Sequence, residues 1–365
     1  MPRHFIDLPR NIIVSGPIQE VRRGRKPLNG ARAMTGAERA KRYRELRNAT
    51  RPKRSLPPIP RELLPGPLTA QISKDSFVRR LIDARFPKLA TIARDCNKRL
   101  RGLGLVKLPK VHDEKVVAML VGTAIDLRIR IYFQCDIHRS RTVELGLSFY
   151  QIASRKRKCL NDLIPAFESF VARVKPQRRR LNRRTEELLC RFCVLFAYLD
   201  FIGRAPLGNS AMDILTNIAS RNLDNTLSRL DENIVLDVIE LSKLFWLKHE
   251  SLIANTRHAI IGGALAGSSD IGGADFDLIA DGCLIEFKAS RHPKVTTQIM
   301  RQLAGYWLLD YDDALKIRSF GICLLRHGRT IFFEIERDLF PAGPFTELRS
   351  TFRTQLARIK SKSKH

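Results

Sequence analysis

Between Gly272 and Ser290 the chain reads Gly-Gly-Ala-Asp-Phe-Asp-Leu-Ile-Ala-Asp-Gly-Cys-Leu-Ile-Glu-Phe-Lys-Ala-Ser. No other stretch limits the fold as much. Asp281-Gly282 is a strong hairpin signal, because a type I′ turn needs positive φ at both central positions and this dipeptide tolerates it. With that turn as the hinge, Ala280 faces Cys283, Asp277 faces Glu286 and Asp275 faces Lys288. Side chains alternate along a strand, so Asp275, Asp277, Glu286 and Lys288 share one face, and Phe276, Leu278, Ile285 and Phe287 share the other. The second set is core material for a half-buried hairpin. The first is an electrostatic conflict: cross-strand neighbours sit roughly 5 Å apart, and like charges directly opposite repel. A hard divalent cation resolves it, since Mg²⁺ takes carboxylate oxygens. The lysine is then free to orient a water or to stabilise developing charge. The plainer alternative is a solvated acidic hairpin with an incidental lysine.

Downstream, Gln302-Leu-Ala-Gly-Tyr306 places Gln302 and Tyr306 on one helix face by their i, i+4 spacing. The pattern then turns strand-like from Phe320 to Leu325, breaks at His327-Gly328 and resumes at Thr330. This succession of Asp, Glu-x-Lys on a hairpin, a Gln-x-x-x-Tyr helix and a further strand resembles the PD-(D/E)xK nuclease superfamily, in particular its RecB-like branch. The resemblance covers residues ~258–336, under a quarter of the chain. It implies a restriction-endonuclease-like α/β core, a mixed central sheet flanked by helices. It implies Mg²⁺, with Mn²⁺ as a substitute, held by Asp277, Glu286 and the backbone carbonyl of Phe287. Lys288 serves the attacking water, and Gln302 and Tyr306 lie beside the nucleic acid. Asp277 is favoured over Asp275 because relatives commonly read Asp-Leu-Ile at the metal aspartate. Asp275 is left as a helper at the metal or as the salt partner of Lys288. The same relatives carry an upstream helix with Gly-Thr-x-x-His whose His joins the metal; here Gly122-Thr123-Ala124-Ile125-Asp126 puts Asp126 at that position. A carboxylate suits Mg²⁺ at least as well as imidazole. The alternative for Asp126 is a surface carboxylate paired with Arg128 or Arg130 of its own helix.

The substrate class follows from charge. Over 365 residues the formal net charge is +28, an excess that points to a polyanionic partner. DNA is the first expectation and RNA the second. A membrane is the rival, but no uninterrupted apolar run is long enough to span a bilayer; the most apolar helix, around Leu188–Ile202, is broken by Arg191 and Asp200. The N-terminal residues lack the apolar segment of a secretory signal. Seven scattered cysteines, an odd number, suggest reduced thiols in a cytoplasmic, nucleoid-associated protein. Cys190-x-x-Cys193 lies in an apolar helical pattern without a second ligand pair, so both read as buried thiols. Only Cys323 follows the Gln/Tyr helix, which argues against the iron–sulfur cluster of some RecB-like relatives. No P-loop is present, so no bound nucleotide is expected.

Four regions are expected. Residues 1–66 form a basic, largely disordered nucleic-acid-binding arm, with sixteen Lys/Arg against five Asp/Glu. Within it, Arg22, Arg23, Arg25 and Lys26 before Pro27 resemble an AT-hook; the alternative is a tail that binds phosphates without reading their sequence. A capping box at Thr35 and Glu38 starts a short helix near 36–47. Residues 67–255 read as helical and partly packed on the core, with segments at 75–84, 88–101, 113–134, 143–173, 184–203, 209–220, 223–230 and 233–254. Two charge runs in this region, Arg155–Lys158 and Arg178-Arg179-Arg180 through Arg184, suit a phosphate-contacting surface. Residues 256–345 are the nuclease-like core, and 346–365 a C-terminal helix and basic tail. The function expected is metal-dependent hydrolysis of DNA phosphodiesters. The alternatives are a non-catalytic DNA-binding protein on the same scaffold and an RNA-directed nuclease.

Overall fold

The computed structural model describes residues 66–102, 115–133, 137–153, 160–204, 210–220, 222–339, 341 and 343–362. The arm with Arg22, Arg23, Arg25 and Lys26, the helix expected near 36–47 and the Arg155–Lys158 run lie outside the described residues. The chain is a mixed α/β protein, a five-stranded mixed sheet among many helices. The helices before the sheet are α1 (Leu68–Ser73), α2 (Phe77–Arg85), α3 (Leu89–Leu100), α4 (Lys115–Phe133), α5 (Arg141–Ala153), α6 (Leu163–Val174), α7 (Arg183–Arg204), α8 (Ser210–Ile218), α9 (Leu223–Ser228) and α10 (Glu232–Asn255). Then come β1 (Ala259–Ile261), β2 (Leu278–Ala280), β3 (Cys283–Lys288), α11 (Thr297–Leu309), β4 (Ser319–Leu324), β5 (Arg329–Glu334) and α12 (Phe345–Lys362).

Helical periodicity located these helices closely, with two exceptions: the short α1 at Leu68–Ser73 is not among the expected segments, and one expected segment is divided. The segment expected at 143–173 is two helices, α5 and α6. Proline lacks an N–H and is tolerated in a first turn but not mid-helix, and Pro165 falls in the first turn of α6. A helix must therefore begin just before it.

The strands lie in chain order, β1-β2-β3-β4-β5. All neighbours are antiparallel except β3 and β4, which pair in parallel and are joined by the α11 crossover. The hairpin turns where expected: Asp281 and Gly282 have φ of 46° and 82°, and Ala280 pairs with Cys283. The Asp281 carboxylate also accepts from the backbone N–H of Arg257 at 3.1 Å and of His258 at 2.8 Å, so the turn anchors the entry to β1.

The hairpin is buried on both faces rather than half-buried. Leu278, Ala280, Cys283, Ile285 and Phe287 belong to one apolar cluster with residues of α4, α7 and α10. Ile279, Leu284, Phe320, Ile322 and Leu324 belong to a second, with α1 to α3, α11 and α12. A sheet with a parallel crossover is covered on both sides in this way. Phe276, expected on the side of Leu278 and Ile285, joins the second cluster instead. Strand β2 begins only at Leu278, and the chain before it is held by an isolated bridge between Ala264 and Asp275, so two-residue parity does not extend back to Phe276.

Among the described residues no helix is long and apolar enough to cross a membrane. Cys96, Cys190, Cys193, Cys283 and Cys323 are buried free thiols. Helices α5 and α7 touch backbone to backbone through glycine. A Cβ on Gly146 would stand 1.8 Å from the Leu199 carbonyl oxygen, and one on Gly203 1.9 Å from that of Thr142. Overpacking a tight contact typically costs about 1–3 kcal/mol, and here the obstacle is backbone that cannot swing aside. Gly146→Ala is therefore expected to lose about 3 kcal/mol or more of stability, read from urea unfolding. A loss below about 1 kcal/mol would contradict this packing.

Candidate active site

Of the residues singled out on the hairpin, Asp277, Glu286 and Lys288 come together where the β2–β3 pairing stops. Asp277 precedes β2, and its backbone carbonyl accepts from Gly262 N–H at 3.2 Å. Its carboxylate Oδ2 accepts from Phe287 N–H at 2.8 Å, which brings the Phe287 main chain into the site. Glu286 sits one step beyond the last β2–β3 pair, Leu278 with Ile285, and is 4 % exposed. Its Oε1 pairs with Lys288 Nζ at 2.6 Å. Burial and the nearby Asp277 charge push the Glu286 carboxyl up to about 7. Burial works against the Lys288 ammonium, but Glu286, Asp277 and Asp126 overcome it and hold its pKa above the ordinary lysine value.

Helix α4 delivers Asp126 to the same place. A single nitrogen, Arg130 Nη2, lies 2.6 Å from Asp126 Oδ2 and 3.7 Å from Asp277 Oδ1. The i, i+4 pairing with Arg130, posed as the alternative to a site role, is present, and the same nitrogen also reaches Asp277. Arg128 is not involved: fully buried, it makes a bidentate pair with Glu186 at 2.8 Å through both contacts. Burial, with Asp277 adding to it against the opposing Arg130, raises the Asp126 carboxyl to about 7.

Two expectations change. Asp275 is not the salt partner of Lys288, which is taken by Glu286. It faces the charges of Arg204, Arg130 and Arg141, and burial outweighs them to raise its pKa. The reason is again the early end of β2: without continuous pairing, Asp275 does not reach the position opposite Lys288. Arg178, expected to meet phosphate, is built into the fold. Its guanidinium Nη2 donates to the Thr256 carbonyl at 2.6 Å, and its backbone N–H donates to Tyr132 at 2.9 Å. Arg179 and Arg180 remain exposed.

Gln302 and Tyr306 arrive from the opposite face of the sheet on α11, whose first turn is capped by Thr296 Oγ1 accepting from Ile299 N–H at 3.2 Å. Gln302 Nε2 donates to the Tyr306 hydroxyl at 2.8 Å, and that hydroxyl donates to the Asp275 carbonyl at 2.7 Å. Both side chains are buried and hold the backbone that leads into Asp277. Burial, with Glu286 and Asp277 adding to it, places the Tyr306 hydroxyl pKa well above the ordinary value, so it stays a donor.

The sequence reading missed Asp200 and Arg204 of α7. Asp200 is buried, accepts from Thr142 Oγ1, and pairs with Arg204 Nε at 2.6 Å. Its charge is felt by Asp126 and Arg130. The available signal was an Asp-x-x-x-Arg pair interrupting the most apolar helix, the same spacing as Asp126 and Arg130.

Among the described residues no three His, Cys, Asp or Glu side chains stand close enough, as placed, to ligate one ion. Arg130 and Lys288 stand among the carboxylates. The donor set still fits a hard cation. It is all oxygen, it carries more than one carboxylate held above its ordinary pKa, and Asp126 Oδ1 is buried with no hydrogen-bond partner. No family model, curated protein or solved structure matches this chain.

Proposed function

We propose that this chain is a metal-dependent nuclease with a restriction-endonuclease-like core of PD-(D/E)xK type, of the RecB-like branch, acting on DNA. One observation carries the reading. Asp126, far upstream on another element, shares one Arg130 nitrogen with Asp277, while Glu286 and Lys288 complete the cluster on the next strand. An acidic hairpin kept for solubility would not be buried on both faces or joined by a remote carboxylate. The net charge of +28 supports a nucleic-acid substrate.

Asp277 and Glu286, with the Phe287 carbonyl and Asp126, would hold Mg²⁺ or Mn²⁺. When bound, such an ion polarises the scissile phosphate and lowers the pKa of a water. Lys288 keeps its proton, so it acts as a donor and a positive charge that orients the water, not as the base that deprotonates it. Gln302 and Tyr306 fix the backbone ahead of Asp277 through the Asp275 carbonyl. Arg179 and Arg180 offer exposed charge to the phosphate backbone.

The test is cleavage of supercoiled plasmid, linear duplex and single-stranded RNA, with Mg²⁺ and with chelator. Chelator-sensitive cutting of DNA is the expected result. Binding without turnover in either Mg²⁺ or Mn²⁺ would instead make the chain a DNA-binding protein on this scaffold, and cutting of RNA alone would move the substrate.

The raised carboxyls give the metal dependence a sign. Glu286 and Asp126 reach about 7, from ordinary values of 4.5 and 3.8. Between those values the folded protein holds more protons than the unfolded chain, so without metal its stability falls as pH rises through that window. Ligation must expel these protons. Mg²⁺ affinity is therefore expected to rise between about pH 6 and about pH 8, by up to about tenfold per pH unit for each proton released. Calorimetry in buffers of different ionisation enthalpy counts those protons, and a pH-independent affinity would contradict the assignment.

A further inference from the structure

Arg130 is placed oddly for a residue that only supports the fold. A guanidinium has five donors in a fixed fork and normally uses several at once. Here one nitrogen, Nη2, serves both Asp126 and Asp277, while Nε is buried with no hydrogen-bond partner. The group lies against Gly262, where a Cβ would stand 2.3 Å from Nη1. Gly262 has φ of 52°, so the backbone turns sharply at the point where the guanidinium passes. The contrast with Arg128, two residues earlier, is informative. That guanidinium uses Nε and Nη2 in a bidentate pair and stacks 4.0 Å above the Tyr132 ring. Arg130 makes no such bidentate pair and its side chain is 19 % exposed, so it can be reached from outside.

A carboxylate pair meant for a divalent cation needs a neutralising charge when the ion is away, and Arg130 supplies one. The same guanidinium, lifted off the pair, presents a planar fork that suits a phosphate. Ion and guanidinium compete for the same oxygens, and phosphate and carboxylates compete for the same guanidinium. We propose that Arg130 is a resident counter-cation that occupies the Asp126–Asp277 pair until the phosphate backbone of a nucleic acid draws it away, so that divalent cation and nucleic acid bind with positive coupling. This rests on the nuclease reading above. It adds that the ion and the substrate each open the site for the other, and linkage makes the effect reciprocal. Before the substrate arrives, the carboxylates are shielded from adventitious metal.

The experiment measures Mg²⁺ affinity by calorimetry, with and without a short DNA duplex, in the Lys288→Ala background so that the duplex is not consumed. Arg130→Met is compared with its parent. In the parent, duplex is expected to tighten Mg²⁺ binding by between about 5- and 150-fold, the usual span of coupling between sites. In Arg130→Met, Mg²⁺ is expected to bind more tightly without DNA by a similar factor, and the duplex to add little. Arg130→Gln keeps a donor for Asp126 without the charge and carries the same expectation if the methionine variant does not fold. Equal Mg²⁺ affinity in parent and variants, or coupling that survives the loss of Arg130, overturns the proposal and leaves the nuclease reading intact. Failure of the parent to bind Mg²⁺ under any condition removes both.

Discussion

Alanine at position 288 is expected to slow Mg²⁺-dependent DNA cleavage by about 10²- to 10³-fold, the range found when one preorganised hydrogen-bond donor is removed from a reacting centre. The ammonium is held in the site by Glu286 at 2.6 Å and is otherwise 28 % exposed, so little packing is lost with it. Glu286 is left without its cation. Its carboxyl is already pushed up to about 7, so it can take a proton and remain buried without charge. The variant is therefore expected to fold, with a Tm close to that of the parent, while its rate falls. Single-turnover cleavage of linear duplex separates the chemical step from binding. A change confined to KM would mean that Lys288 only helps hold the substrate. Equal rates for parent and variant would end the nuclease assignment.

The largest expected change in stability is at Arg326. This residue follows β4 and is almost wholly buried, as is its partner Asp237 of α10. Two parallel bonds join them, Nη1 to Oδ1 at 2.8 Å and Nη2 to Oδ2 at 2.7 Å. Arg326 Nε also donates to the Ala289 carbonyl at 2.6 Å, one residue past Lys288. Removing one member of a buried pair leaves an uncompensated charge and costs about 3–5 kcal/mol. Arg326→Met should lose that much in urea unfolding. The double variant Arg326→Met, Asp237→Leu should recover most of it, because an apolar pair of similar volume avoids the desolvation cost. If the two single losses simply add, the side chains do not interact as described.

How far the sequence alone reached is clearest in the hairpin. The Asp281-Gly282 turn and the pairing of Ala280 with Cys283 were legible, because turn chemistry and two-residue parity are local properties. Parity could not say where the ladder stops. β2 is only Leu278–Ala280, which is why Phe276 and Asp275 lie elsewhere than the alternation put them. Charged partners were the least legible feature. Lys288 chose Glu286 on its own strand, and Asp277 met a cation from α4, because those choices depend on how helices dock on the sheet. Asp126 was reachable through the Gly-Thr-x-x pattern of α4. Asp200 and Arg204 left only a weak signal, a charged pair in an apolar helix, whose meaning depends on where α7 docks beside the site.

The cluster draws on both sides of the sheet. Asp126 comes from the helical layer on one face, and Gln302 and Tyr306 from α11 on the other. The strand bearing Glu286 and Lys288 is flanked by β4, which follows the crossover. During synthesis, then, Asp126 emerges early and must wait, and the cluster cannot assemble until the crossover and β4 have been made. A chain truncated on either side lacks part of the cluster. Completion of the cluster is thereby a late event of folding, and under the nuclease proposal activity would report on the whole chain rather than on any part of it.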